Sequence, residues 1–212
     1  LYFDLDGTLL DDDHRVPMAL SKAIDKARGR GLYVGVATGR RGTTTQPYAE
    51  AIDANAPVVL FNGARVVTAD FKSTLFSTTL PRVSSLKVIE RVLGLGTHIG
   101  AYVDERLLVD HRLPTPTAAP VNNALSSREE VDLLALEKAP VKLLFVDEPE
   151  KLRELRRLLT IERLIPPGAH LVRSNPRFLE LLPDGVHKGQ GLHRCAAHLG
   201  IDVRDIACFG DD

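Results

Sequence analysis

Asp4 and Asp6 stand two residues apart in the opening stretch LYFDLDGTLL, at the end of an apolar run and directly before Gly7 and Thr8. On an extended backbone, residues i and i+2 point the same way, so both carboxylates can address one pocket. Two anions that close repel each other, so a cation should sit between them and a substrate. A third carboxylate, Asp211, follows another apolar stretch in IACFGDD. Hard oxygen ligands in this number suit Mg²⁺, which keeps several waters and favours phosphate substrates. Lys188, in HKGQGL, offers a point charge for a phosphate oxygen, and Thr38, in ATGR, offers a hydroxyl. Phosphoryl transfer is the chemistry such a set can carry, because it asks mainly for positioning and charge stabilisation. A carboxylate nucleophile splits hydrolysis into two easier steps. A second carboxyl that protonates the leaving alkoxide needs its proton at that moment, which burial and neighbouring carboxylates favour.

The elements around these residues read as a sheet that presents them at strand ends. Residues 1–6 form a short buried strand, followed by a turn-rich acidic stretch, GTLLDDDHRVP. Leu20, Ala23, Ile24 and Ala27 recur at helical spacing until GRG stops them. LYVGVA (32–37) and PVVLF (57–61) are further strands, separated by a polar helix over 43–54. This βαβαβ order with continuous apolar strands is the pattern of a parallel sheet covered on both faces. In such a sheet ligands bind at the carboxyl ends of the strands, and here those ends carry Asp4 and Asp6, Thr38, Asn62 and Asp211.

The rhythm then changes. ARVVT and TLFST bracket a turn and predict a hairpin. A helix over 84–93, strands over 97–103 and 107–110, a proline-rich loop HRLPTPTAAPVNN and a helix over 128–138 come next. Strand VKLLFV, a helix over 149–160 and strands HLVRS and RFLELL complete a separate α+β module with an antiparallel sheet. A helix opened by Lys188 and a buried strand DIACF return to the parallel sheet. The fold class expected is therefore α/β, a doubly wound parallel core over 1–79 and 185–212 with an inserted α+β domain over 80–184. The two crossings contain proline, and the second adds Gly185, so they read as a hinge.

Composition narrows the function classes. The chain has 212 residues, 27 Lys and Arg against 28 Asp and Glu, and a formal net charge of −1, which argues against nucleic acid or a membrane surface as the main partner. No apolar run reaches the length of a membrane span and no signal peptide is visible. Cys195 and Cys208 read as two buried thiols in a reducing cytoplasm. Both chain ends fall inside strands, so the sequence reads as a fragment or the ordered part of a longer chain. Asp11, Asp12 and Asp13 read as a solvated loop, and His187, His193 and His198 as structural or exposed. Arg40 reads equally as an ion-pair residue or a site residue, and Asn62–Gly63 as a turn or a site.

In order, DLDGT, ATGR, FNGA, HKGQGL and FGDD resemble the successive motifs of the haloacid dehalogenase-like phosphatases. The layout is most similar to the Cof-type sugar-phosphate phosphatases with a large type IIB α+β cap, and the resemblance spans essentially the whole chain. It implies Asp4 as the nucleophile that becomes an aspartyl-phosphate, and Asp6 as the acid that protonates the leaving group and then activates water. It implies Thr38 and Lys188, with Gly39 and Asn62, around the phosphoryl oxygens. It implies Mg²⁺ on Asp4, the carbonyl of Asp6, and Asp211. The family's fourth motif continues roughly as GDxxND, and its last acid lies beyond the final residue, Asp212.

The resulting expectation is a Mg²⁺-dependent phosphatase acting on a small phosphorylated metabolite, a sugar phosphate. Within the superfamily, a phosphosugar mutase or a disaccharide-phosphate phosphatase shares these motifs. A receiver-type signalling domain also groups acids, a Thr and a Lys around Mg²⁺, but places its phosphoacceptor Asp at the third strand, where this chain has Asn62. A non-catalytic phosphate-binding protein is the remaining alternative.

Overall fold

The computed structural model describes residues 1–113 and 127–211. In chain order the described elements are β1 (Tyr2–Phe3), α1 (Met18–Arg28), β2 (Gly35–Val36), α2 (Gly42–Ala51), β3 (Val58–Leu60), β4 (Arg65–Val67) and β5 (Thr74–Ser77). There follow α3 (Arg82–Gly94), β6 (His98–Val103), β7 (Arg106–Asp110), β8 (Arg128–Val131), β9 (Lys142–Val146) and α4 (Pro149–Ile161). The last are β10 (Ala169–Asn175), β11 (Phe178–Pro183), α5 (Lys188–Leu199) and β12 (Cys208–Phe209). The chain divides into two compact units, Leu1–Ser77 with Gly185–Asp212, and Thr78–Asp184. PTPTAAPVNN, read from sequence as part of an irregular connection, lies outside the described residues.

In the first unit β12, β1 and β2 pair in parallel, in that order. A parallel bridge between Ala37 and Val59 carries the sheet on to β3, and β3, β4 and β5 then run antiparallel. Tyr2, Ala37, Val59 and Val66 pack with Leu192 and Cys195 of α5. The Tyr2 hydroxyl donates to the Pro57 carbonyl at 3.0 Å, and burial, then the neighbouring Cys195, raise its pKa. Burial likewise pushes the Cys195 thiol up to about 11, which keeps it protonated and inert.

Among the described residues the second unit carries a six-stranded sheet in the order β10-β11-β9-β6-β7-β8. Leu143 and Phe145 of β9 join Val88, Ile89 and Val92 of α3 and Leu152, Leu155 and Leu159 of α4 in one core. Alternation along β9 then turns Lys142 and Leu144 to the other face of the sheet.

Several sequence expectations are corrected here. The opening strand ends at Phe3, because Leu5–Leu9 closes a wide turn instead of continuing the ladder. The helix expected over 128–138 is instead β8 followed by a short 3₁₀ turn, Leu133–Ala135. Charged Arg128, Glu129 and Glu130 suit an edge strand, where Arg106 and Glu129 form an ion pair, and this pairing outweighs a weak helix preference. The sheet of this unit is not wholly antiparallel, since β7 and β8 pair in parallel. DIACF is not buried: only Cys208–Phe209 is strand, Phe209 is 47% exposed and the Cys208 thiol is exposed, at the edge of the sheet beside β1.

Candidate active site

The first unit assembles the site at the ends of β1, β2, β3 and β12. Phe3 and Phe209 stack with centroids 4.8 Å apart, and the Asp4 N–H donates to the Phe209 carbonyl at 2.9 Å, so the ends of β1 and β12 lie side by side. Past β1 the chain turns. The Leu9 and Leu10 N–H groups donate to the carbonyls of Asp4 and Leu5 at 3.1 and 2.9 Å, while Asp4 Oδ1 accepts the Leu5 N–H at 2.7 Å. Gly7 completes the turn at φ 74, and a Cβ there would fall on the Asp211 carboxylate, so glycine gives Asp211 its place over the turn.

Lys188 is the first residue of α5. His187 caps that helix, its Nδ1 accepting the Gln190 N–H at 3.1 Å, and the Lys188 ammonium donates to Asp4 Oδ2. The Asp4 side chain is 13% exposed. A cation from one end of the sequence is therefore held on a carboxylate from the other.

Thr38 is buried just past β2. Its N–H donates to the Val59 carbonyl at 2.9 Å, its carbonyl accepts the Asn62 N–H at 3.0 Å and its Oγ1 accepts the Arg40 N–H at 3.2 Å. Phe61, Asn62 and Gly63 all have positive φ, which folds the end of β3 back on itself. The Asn62 amide lies against Gly39, and a Cβ on Gly63 would run into the His187 carbonyl. The Asn62–Gly63 turn thus packs against both the Thr38–Gly39 segment and the start of α5.

Lys188 and Asp211 thus lie at Asp4 and its Gly7 turn, and Thr38, Gly39 and Asn62 lie together past the ends of β2 and β3. The turn brings the Asp6 side chain, 55% exposed, onto the Arg40 guanidinium. Burial alone would lower the pKa of Arg40, but the hydrogen bond and charge of Asp6, with Tyr48, raise it. Among the described residues no three His, Cys, Asp or Glu side chains converge as metal ligands. Mg²⁺ is ordinarily held through one or two carboxylates and the substrate's phosphate, and Asp4 and Asp211, flanking the Gly7 turn, fit that demand.

Sequence reasoning did not place Arg40 on Asp6, nor His187 as a cap. Arg40 was marked only by its position two residues after Thr38, and His187 only by directly preceding a lysine-led helix. Thr8 Oγ1 is buried with no hydrogen-bond partner among the described residues.

A family model for haloacid dehalogenase-like hydrolases matches residues 1–212. An HMP-PP phosphatase of Cronobacter sakazakii is 30% identical over 99% of this chain and 76% of its own. A protein of Thermotoga maritima known by X-ray crystallography is 26% identical, with a TM-score of 0.76 over 94% of this chain and 74% of that one. A haloacid dehalogenase-like hydrolase of Bacteroides thetaiotaomicron, at 20% identity, shares the fold with a TM-score of 0.83 over 98% of this chain and 79% of its own. With the strand-end carboxylates, the paired lysine and a family match along its whole length, the chain belongs to the haloacid dehalogenase-like hydrolases.

Proposed function

We propose that this chain is a Mg²⁺-dependent phosphatase that hydrolyses a small phosphorylated metabolite, a sugar phosphate, through an aspartyl-phosphate on Asp4. The observation that carries this reading is the Lys188 ammonium on the Asp4 carboxylate, with buried Thr38 hydrogen-bonded to Asn62 at the neighbouring strand ends. The relatives named as phosphatases support the reaction class.

Asp4 supplies the attacking oxygen. Its other oxygen is held by the Leu5 N–H, so the carboxylate is oriented before substrate arrives. Lys188 and the Thr38 hydroxyl, with Gly39 and Asn62, hold the phosphoryl oxygens, and the positive end of α5 adds to that attraction. Asp6, protonated on a lone pair that the Arg40 fork leaves open, gives that proton to the departing alkoxide and then takes one from the water that cleaves the phosphoenzyme. Asp4, Asp211 and the Asp6 carbonyl would hold Mg²⁺, since the Asp6 carboxylate is engaged by Arg40. When bound, the ion neutralises charge on the transferring phosphoryl group. The first unit is the catalytic core, and the unit from Thr78 to Asp184 selects the substrate.

Phosphate release from a panel of phosphorylated metabolites, with Mg²⁺ and with EDTA, tests the reading. Turnover of sugar phosphates that EDTA abolishes and Mg²⁺ restores is the expected result. No release from any member of the panel, or release indifferent to EDTA, overturns it.

A further inference from the structure

Arg40 takes no part in the steps above, yet it grips one of the two carboxylates that do. Its Nε donates to Asp6 Oδ2 at 2.8 Å and its Nη2 donates to Asp6 Oδ1, a two-armed fork. The fork is itself supported. The Tyr48 ring of α2 lies 5.3 Å from the guanidinium carbon. The Arg40 N–H is on Thr38 Oγ1 at 3.2 Å, and its carbonyl accepts the Phe61 N–H at 3.0 Å. The arginine is thus fastened to the hydroxyl that faces phosphate and to the turn that carries Asn62, while its free end holds Asp6.

An exposed aspartate has several staggered rotamers open to it. Asp6 is more than half exposed, so burial does not fix its direction. A bidentate guanidinium does, because planar fork and planar carboxylate match in one orientation. An exposed ion pair of this kind adds little to stability, so its consequence should lie in geometry.

We propose that Arg40 is a positioning residue for Asp6: the fork, backed by Tyr48, sets the line along which the Asp6 carboxyl meets the leaving-group oxygen. This rests on the reading of Asp6 as proton donor. It assigns no contact between Arg40 and the substrate, and it separates Arg40 from Lys188, whose ammonium is on Asp4.

The test compares leaving groups. An alkyl phosphate such as a sugar phosphate leaves as an alkoxide and needs a proton, whereas para-nitrophenyl phosphate leaves as a stable phenolate and does not. Asp6 also serves the water step, which both substrates share, so the readout is kcat/KM, which reports formation of the phosphoenzyme alone: Arg40→Ala should lower it by about 10–100-fold on the sugar phosphate, the scale of a misplaced catalytic group, and by no more than about threefold on para-nitrophenyl phosphate. Arg40→Lys keeps the charge but lacks the fork, and should rescue little. Tyr48→Leu leaves the ion pair in place and should give a smaller loss with the same leaving-group dependence. Equal losses of kcat/KM on both substrates, or full rescue by Lys, overturns the inference. Asp6→Asn distinguishes the two layers of the argument. If Asp6→Asn shows the leaving-group dependence and Arg40→Ala does not, positioning by Arg40 is wrong and the acid reading stands. If Asp6→Asn shows none, the acid reading fails and this inference falls with it.

Discussion

Both units hold carboxylates beside cations, but they use them in opposite ways. In the second unit Lys142 and Glu180, on strands β9 and β11, are 5% and 8% exposed, with Lys142 Nζ 3.1 and 3.2 Å from the two carboxylate oxygens. Ser174 donates to the same carboxylate at 3.0 Å, and the ammonium lies 4.9 Å from the centroid of the Tyr102 ring. Burial disfavours the charged lysine, but Glu180 and Tyr102 outweigh it and raise its pKa. In the first unit Asp4 and Lys188, and Asp6 and Arg40, meet from distant parts of the chain at strand ends, and three of these four side chains are 24% to 55% exposed. A charge enclosed by fixed partners serves the structure, because exchanging its partner would leave a bare ion behind. A charge at an open strand end can exchange its partner for a ligand. The two units therefore predict different failures when a charge is removed.

The largest effect is expected in the first unit, and on turnover. Asp4→Asn replaces a nucleophilic carboxylate by an amide and should lower kcat by about 10⁴-fold or more, while Lys188→Ala, which removes one phosphoryl-holding charge, should cost about 10²–10³-fold. Thermal unfolding of both variants should stay close to that of the parent chain. Retention of even a tenth of the activity by Asp4→Asn contradicts a covalent route through Asp4.

In the second unit the same kind of change should act on stability. Lys142→Met strands the Glu180 carboxylate and should lower the unfolding free energy by about 3–5 kcal/mol, whereas Lys142→Met with Glu180→Leu, which removes both charges, should recover most of that loss. Urea unfolding of parent, single and double variants measures it. A double variant no more stable than the single one would show that the pair is not the coupled unit described here.

How far the sequence disclosed this contrast depends on the signal each element leaves. The opening apolar run, the strand at 58–60 and the helices carrying Ile24 and Leu192 were legible because burial imposes a period on residue types. Thr38, Asn62 and Lys188 were legible as strand-end and helix-start residues for the same reason. The pairing of the Asp6 side chain with Arg40 was not. It depends on where a turn containing Gly7 aims the chain, and alternation holds only while the backbone stays in the ladder. Strand β8 was missed because Arg128, Glu129 and Glu130 carry no apolar alternation, and their pairing partner lies about twenty residues upstream. The Lys142–Glu180 pair was missed because a lysine within VKLLFV and a glutamate within RFLELL give no sign of each other until two strands are set in register.

A smaller effect, and one that pH reads directly, is expected at Asp110 at the end of β7. Its side chain is 1% exposed and accepts four hydrogen bonds. Oδ1 takes the Arg112 N–H at 3.0 Å and Nε at 2.6 Å, and Oδ2 takes Arg112 Nη2 at 2.6 Å and the Leu133 N–H at 3.0 Å, which ties the strand to the turn after β8. Burial alone would raise the pKa of this carboxyl. The donors on Arg112 and Leu133 and the Arg112 charge outweigh it and hold the pKa at about 2, against an ordinary 3.8. A carboxylate whose pKa is depressed on folding stabilises the folded state above its unfolded pKa, and that stability is lost as pH falls through the folded value. The difference of somewhat under two units corresponds to about 2 kcal/mol, present at pH 5 and above and withdrawn between roughly pH 4 and pH 2. Asparagine cannot reproduce the site, since its amide NH₂ would face donors. Asp110→Asn should therefore cost about 2 kcal/mol in urea unfolding at pH 7, and the gap between variant and parent should close as the pH is lowered from 4 towards 2. A gap that stays constant across that range would mean that Asp110 acts through packing and not through its charge.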